Sequence, residues 1–154
     1  MLNKNSLKIV PEIFFNGSLD AFGSFSDRFG NVRRKFIIKA VGVKTLAGFT
    51  LEENFEYDDG ELDHRIWTVI KKSDSQYEGE ANDVFGKVNG TINKNIFLWS
   101  YDFNLKLGSR KIWVKFSDEM FLKESNILLN TTKVSKFGIL LGEVNIQFNR
   151  IKLN

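Results

Sequence analysis

Residues 48–71 read GFTLEENFEYDDGELDHRIWTVIK, and their alternation decides the fold. Before the central DDG, Phe49, Leu51, Phe55 and Tyr57 share one parity, while Thr50, Glu52, Asn54 and Glu56 share the other. Only an extended strand turns a two-residue period into one apolar and one polar face. Asp58-Asp59-Gly60 supplies a three-residue hairpin loop with glycine at the left-handed position. Counting back from that loop pairs Tyr57 with Glu61, Phe55 with Asp63, Glu53 with Arg65, Leu51 with Trp67 and Phe49 with Val69. Arg65, Trp67 and Val69 therefore join the apolar face and His64 turns away from it. Glu53 breaks the apolar pattern, and register sets its carboxylate opposite the Arg65 guanidinium.

The same period recurs from about residue 32 to 150, and helical periodicity is nowhere sustained. Strands are expected near 17–28, 32–43, 48–57, 61–71, 76–82, 84–93, 96–107, 110–118, 126–136 and 142–151. The single proline, Pro11, precedes them all. Short connections at Gly30-Asn31, Asp58-Asp59-Gly60, Lys94-Asn95 and Gly108-Ser109 force neighbouring strands to be antiparallel. An up-and-down meander of about ten strands has edges to protect, and closing it into a barrel removes them. The expectation is an all-β chain, with residues 1–15 as an N-terminal arm or short helix at one mouth and residues 16–154 as the barrel domain.

Parity then names the interior. Phe97, Trp99, Tyr101, Phe103, Leu105 and Leu107 form one face, continued by Ile112, Val114 and Phe116 and by Val144, Ile146 and Phe148. Asp118 follows Val114 and Phe116 inward. With Gly30-Asn31 as a two-residue turn, Asp27 falls opposite Arg34, on the parity of Phe36 and Ile38.

Composition narrows the function classes. A chain of 154 residues is one domain and can bury a core without staples. Fifteen phenylalanines favour pleated, half-buried surfaces. The absence of cysteine excludes disulfides, thiolate metal sites and thiol nucleophiles, and a single histidine argues against a histidine-rich metal centre. Net charge is +3, but its densest runs are only Arg33-Arg34-Lys35 and Lys71-Lys72, too scattered for a nucleic-acid groove. No apolar run reaches the length of a signal-peptide core or of a membrane helix, so the chain reads as soluble and unexported. The glycine-containing stretches Gly79 to Gly90 and Ser135 to Gly142 do not join a strand to a helix, and turns and sharp strand bends account for them. No catalytic or metal-binding motif is present, and no cofactor is expected.

The candidate site is therefore the lumen. Glu53 and Arg65 form a register-fixing ion pair or anchor the polar end of a ligand whose apolar body lies against Trp67, Trp99 and Tyr101. Phe55, Phe116 and Arg34 complete the expected ligand-binding set. The aromatic stripe from Phe97 to Phe103 serves equally as packed core, since small barrels either fill themselves or hold one small ligand.

Several runs resemble an uncharacterised bacterial family of lipocalin-like proteins. They are Gly17-Ser18-Leu19-Asp20-Ala21-Phe22-Gly23, Asp27-Arg28, Arg33-Arg34-Lys35-Phe36, Leu51-Glu52-Glu53, Arg65-Ile66-Trp67-Thr68, Trp99-Ser100-Tyr101 and Ser135-Lys136-Phe137-Gly138 with Leu141-Gly142-Glu143. The resemblance covers about residues 14–150. It implies a calycin-type barrel and a place in the cell envelope, where many relatives look like lipoproteins. It also implies tryptophan at the position of Phe22, as in the Gly-x-Trp element of lipocalins. The expected partner is a small apolar or amphipathic ligand, bound without catalysis by a monomer, with peripheral membrane association as an accompanying option. The alternatives are an enzyme acting on a lipid-like substrate in the same cavity and an accessory protein with a filled core that works through its outer surface.

Overall fold

The computed structural model describes residues 7–107 and 109–151. One short helix, α1 (Pro11–Phe14), precedes ten strands. These are β1 (Gly17–Asp27), β2 (Val32–Lys44), β3 (Gly48–Tyr57), β4 (Leu62–Lys71), β5 (Gln76–Ala81), β6 (Val88–Asn93), β7 (Ile96–Leu107), β8 (Arg110–Glu124), β9 (Ile127–Lys136) and β10 (Ile139–Arg150). Each pairs antiparallel with its sequence neighbours, and β1 pairs with β10, so the sheet closes on itself as an all-β barrel. Closure leaves no strand edge to template aggregation. In such a meander the β1–β2, β3–β4, β5–β6, β7–β8 and β9–β10 connections all lie at one end.

The other end is closed by α1. Pro11 opens the helix where its missing N–H costs nothing, and the turn carries Phe14 and Phe15 inward. The Phe15 ring stacks on Phe49 at 5.8 Å and meets Phe148 edge-on at 5.6 Å. Glu12 is buried beside them, accepting hydrogen bonds from Lys71 Nζ at 2.8 Å and from the Tyr77 hydroxyl at 2.7 Å. Burial alone would raise the Glu12 pKa, but these two donors outweigh it and hold the carboxyl below its ordinary value.

The β3–β4 register is the one that the DDG loop dictates: Glu53 opposes Arg65, Leu51 opposes Trp67 and Phe49 opposes Val69. Several sequence expectations are corrected. Arg34 pairs with Phe25 rather than Asp27, because the first loop is the three-residue Arg28-Phe29-Gly30 instead of Gly30-Asn31, with Asp27 N–H donating to the Asn31 carbonyl, and a bulge between Phe25 and Ser26 then shifts the register by one residue. Asp27 instead turns its carboxylate onto the loop, accepting from the backbone N–H groups of Phe29 and Asn31 and from Arg33 Nε. The expected strand 84–93 starts only at Val88, while residues 82–87 form a connection in which Val84 bridges to Phe103. β8 runs on to Glu124, and β10 starts at Ile139 rather than at residue 142.

The reading of Gly79 and Gly90 is corrected too, since they are not bends. Both lie inside strands, where a Cβ would meet the Trp99 ring at 2.5 and 2.3 Å. They are the floor on which the indole lies. Phe22 points outward, 53% exposed, between Ile37 and Gln147 on neighbouring strands, so the position matched to the lipocalin tryptophan does not reach the interior here. Gly108, the first residue of the expected Gly108-Ser109 turn, lies outside the described residues, as do the side chain of Leu107 and the terminal residues 1–6 and 152–154.

Candidate functional site in the barrel lumen

Alternation places Glu53, Arg65, Trp67, Trp99, Tyr101, Phe55, Phe116 and Arg34 around one cavity of about 160 Å3. An apolar cavity of about 150 Å3 accepts a benzene-sized guest, so this one has room for a ring or a short chain. Trp67 packs edge-on against Trp99 at 5.3 Å and against Tyr101 at 5.3 Å. Phe103 stacks on Phe116 at 4.7 Å. Phe15 of the segment after α1 lines the far end, while Phe25, Arg34, Tyr57 and Leu105 carry the lining towards the odd-to-even hairpins.

The charged centre differs from a simple Glu53–Arg65 pair. Arg65 Nε donates to both carboxylate oxygens of Asp83 at 2.9 and 3.0 Å, whereas its closest approach to Glu53 is 4.0 Å. Phe103 and Phe55 flank the guanidinium at 4.4 and 5.0 Å from their ring centroids. Asp83 stands on the residue 82–87 connection, which Asn82 pins by accepting from Ile66 N–H and donating to the His64 carbonyl. Sequence reasoning missed Asp83, because alternation says nothing about a residue in a loop. The one available signal was the turn-forming pair Asn82-Asp83.

A second carboxylate group faces the cavity from β8. Asp118 accepts a hydrogen bond from the Thr132 hydroxyl on β9 and another from Tyr101. Three carboxylates thus stand against one internal guanidinium, and Asp83 takes its Nε–H, one of five N–H donors. Burial pushes Glu53 up to about 7, with Arg65 only partly opposing it and Asp83 and Asp118 adding to it. Burial likewise raises Asp118 to about 6 against the hydrogen bonds from Thr132 and Tyr101. Tyr101, buried and facing Asp118, is raised well above the ordinary phenol range.

Arg34 sits higher, at the mouth. Its guanidinium lies 3.5 Å over the Tyr57 ring and is tied to Asp59 and Glu61 of the β3–β4 turn at 3.1 and 2.7 Å. It lines the cavity without belonging to the Arg65 cluster. Among the described residues, no group of three or more His, Cys, Asp or Glu side chains is arranged to hold a metal ion.

Raised carboxylate pKa values give stability a defined pH sense. Both groups fold more readily as neutral acids, so their contribution is complete below the ordinary carboxylate range and is lost as pH rises through about 6 to 7. The unfolding midpoint should therefore be higher at pH 6 than at pH 8. Glu53→Gln should flatten most of that difference, and an unchanged pH profile in this variant would show that Glu53 is not the group titrating.

A model of the family described as Protein of unknown function (DUF3833) matches residues 2–150. No curated protein matches the chain. Among solved structures, the chain is similar to an S-type phycobiliprotein lyase, CPES, from Guillardia theta, with a TM-score of 0.68 at 9% identity over 98% of this chain and 97% of that one. A likeness at that identity is one of fold, and it extends over the whole barrel.

Proposed function

The chain belongs to the DUF3833 family of proteins of unknown function, and from its lumen we propose that it binds a small amphipathic ligand, without turning it over, through a polar group that donates hydrogen bonds. The observation that carries this reading is the imbalance inside the barrel: Glu53, Asp83 and Asp118 against Arg65, within an aromatic wall. An anionic head would face the ionised forms of Glu53, Asp83 and Asp118 together with a single guanidinium whose Nε–H is already held by Asp83. A hydroxyl or amine would instead satisfy Glu53 and Asp118. The Trp67, Trp99 and Tyr101 rings would take the apolar body.

Calorimetric titration with octanol, octylamine and octanoate, which put three heads on one chain, tests the proposal. Octanol and octylamine should bind at one site per chain, and octanoate about tenfold more weakly or worse, since about 1.4 kcal/mol of like-charge cost already gives that factor. Tightest binding by octanoate, or no binding by any of the three, would refute it.

The second reading, an enzyme acting on a lipid-like substrate in the same cavity, draws support from one fact. A buried carboxyl titrating near 7 suits proton transfer at neutral pH. Chemical change of a bound amphiphile, seen by mass spectrometry and lost in Glu53→Gln at unchanged stability, would select that reading over simple binding.

A further inference from the structure

We propose that the hairpin end of the barrel docks on an anionic lipid bilayer, inserting the aromatic tips of three of its connections between the headgroups. Three aromatic side chains are more than 70% exposed, Phe137 at 90%, Phe29 at 75% and Phe85 at 71%, and all three stand on connections at this end. Trp113 joins them, edge-on to Phe85 at 6.1 Å and 47% exposed.

Phe137 is placed against local preference. It and Gly138 form the two-residue β9–β10 turn with φ of 53° and 77°, a turn that favours asparagine or glycine at its first position. The equivalent turn at the opposite end also carries an unfavoured residue first, Lys94 at φ 52°, but a polar one. A bulky residue at positive φ costs backbone energy, and Phe137 recovers none by burial. Conflicts of this kind between local preference and fold concentrate at functional positions.

Charge decides what the tips meet. Around the rim, the barrel order sets the β9–β10 turn between the β1–β2 and β7–β8 turns. Within residues 27–33, 109–113 and 136–141, Arg28, Arg33, Arg110, Lys111 and Lys136 face a single acidic residue, Asp27, which Arg33 already neutralises at 2.8 Å. Cations also lie directly over two of the tips, Arg28 over Phe29 at 4.9 Å and Lys136 over Phe137 at 4.7 Å. The β3–β4 turn across the mouth is acidic, with Asp58, Asp59 and Glu61, so the barrel would dock tilted, with that turn lifted clear. Apolar tips set in basic surroundings match the boundary between anionic headgroups and acyl chains. The barrel wall itself is no lipid-facing belt, since it carries Asp20 with Lys39 and Glu52 with His64 at mid-height. The docked rim would also hold the mouth of the lumen against the membrane, although docking does not depend on what the lumen binds.

Vesicle flotation tests the proposal, with phosphatidylcholine vesicles containing about a third phosphatidylglycerol compared with phosphatidylcholine alone. The protein should float with the anionic vesicles and much less with the neutral ones. Trp113 emission should shift to the blue on binding, and raised salt should weaken it. The triple variant Phe29→Ser, Phe85→Ser, Phe137→Asn should lose at least about tenfold in partition. Arg28→Glu with Lys136→Glu should do the same, at about fivefold per basic residue near such a surface. Asp58→Asn with Asp59→Asn should leave binding intact. Circular dichroism checks that these surface variants fold. Equal flotation of wild type and triple variant would overturn the proposal, as would no flotation combined with a dimer that the triple variant dissolves. Octanol titration reads the lumen separately, so failure at the rim and failure in the cavity are told apart.

Discussion

Arg65→Ala is expected to destabilise the barrel by about 3–5 kcal/mol, the range for removing one partner of a buried ionic network. Asp83 would lose both hydrogen bonds to Nε, Glu53 the guanidinium 4.0 Å away, and Phe103 and Phe55 the guanidinium between their rings. For a chain of this size the loss amounts to a fall of about 10 °C in Tm. Most of that cost belongs to carboxylates left without a partner rather than to the pair itself. Arg65→Met combined with Asp83→Asn and Glu53→Gln should therefore recover a large part of the loss. Thermal unfolding of the single and combined variants measures it. A single variant within about 1 kcal/mol of wild type would show that the guanidinium is not what balances the buried carboxylates.

Gly42→Ala should be comparably damaging for a different reason. A Cβ at position 42 would lie 1.5 Å from the Phe15 carbonyl oxygen, a distance at which the backbone leaving α1 must move. Because the same segment carries Phe14 and Phe15 into the core and Glu12 onto Lys71 and Tyr77, the closure of that end would be displaced as a unit. Overpacking of this kind costs about 3 kcal/mol. The end opened by it should become susceptible to proteolysis between α1 and β1, with cleavage near Asn16 identified by mass spectrometry. Wild-type stability and resistance in Gly42→Ala would mean that α1 docks more loosely than the close approach of Phe15 to Gly42 indicates.

The barrel was legible because its cause is local. Phe49, Leu51 and Phe55 alternate with Glu52, Asn54 and Glu56, and a three-residue loop with Gly60 in the left-handed region, at φ 86°, fixes which residue faces which. The opposition of Glu53 to Arg65 followed from that count alone. Asp83 did not, since its approach to Arg65 depends on how residues 82–87 fold over the mouth. No period records that path. The first hairpin misled for a similar reason: its loop takes three residues, Arg28-Phe29-Gly30, instead of two, and a bulge beyond it adds a one-residue shift, so Arg34 faces Phe25 and not Asp27. Gly79 and Gly90 looked like punctuation because the ring that requires them, Trp99, comes from a strand later in the chain. The inward set was readable as a face, but whether rings on that face meet or leave space depends on strand number and tilt, which only the closed barrel determines.

Ligand binding in the lumen requires that the space among Trp67, Trp99 and Tyr101 admit a guest. Trp113→Phe leaves only the two lumen indoles to fluoresce, and a bromoalkyl alcohol quenches an indole only on close contact. Saturable loss of most of the emission at one probe per chain is the expected result. Probe that binds yet leaves Trp67 and Trp99 emission unchanged would contradict it.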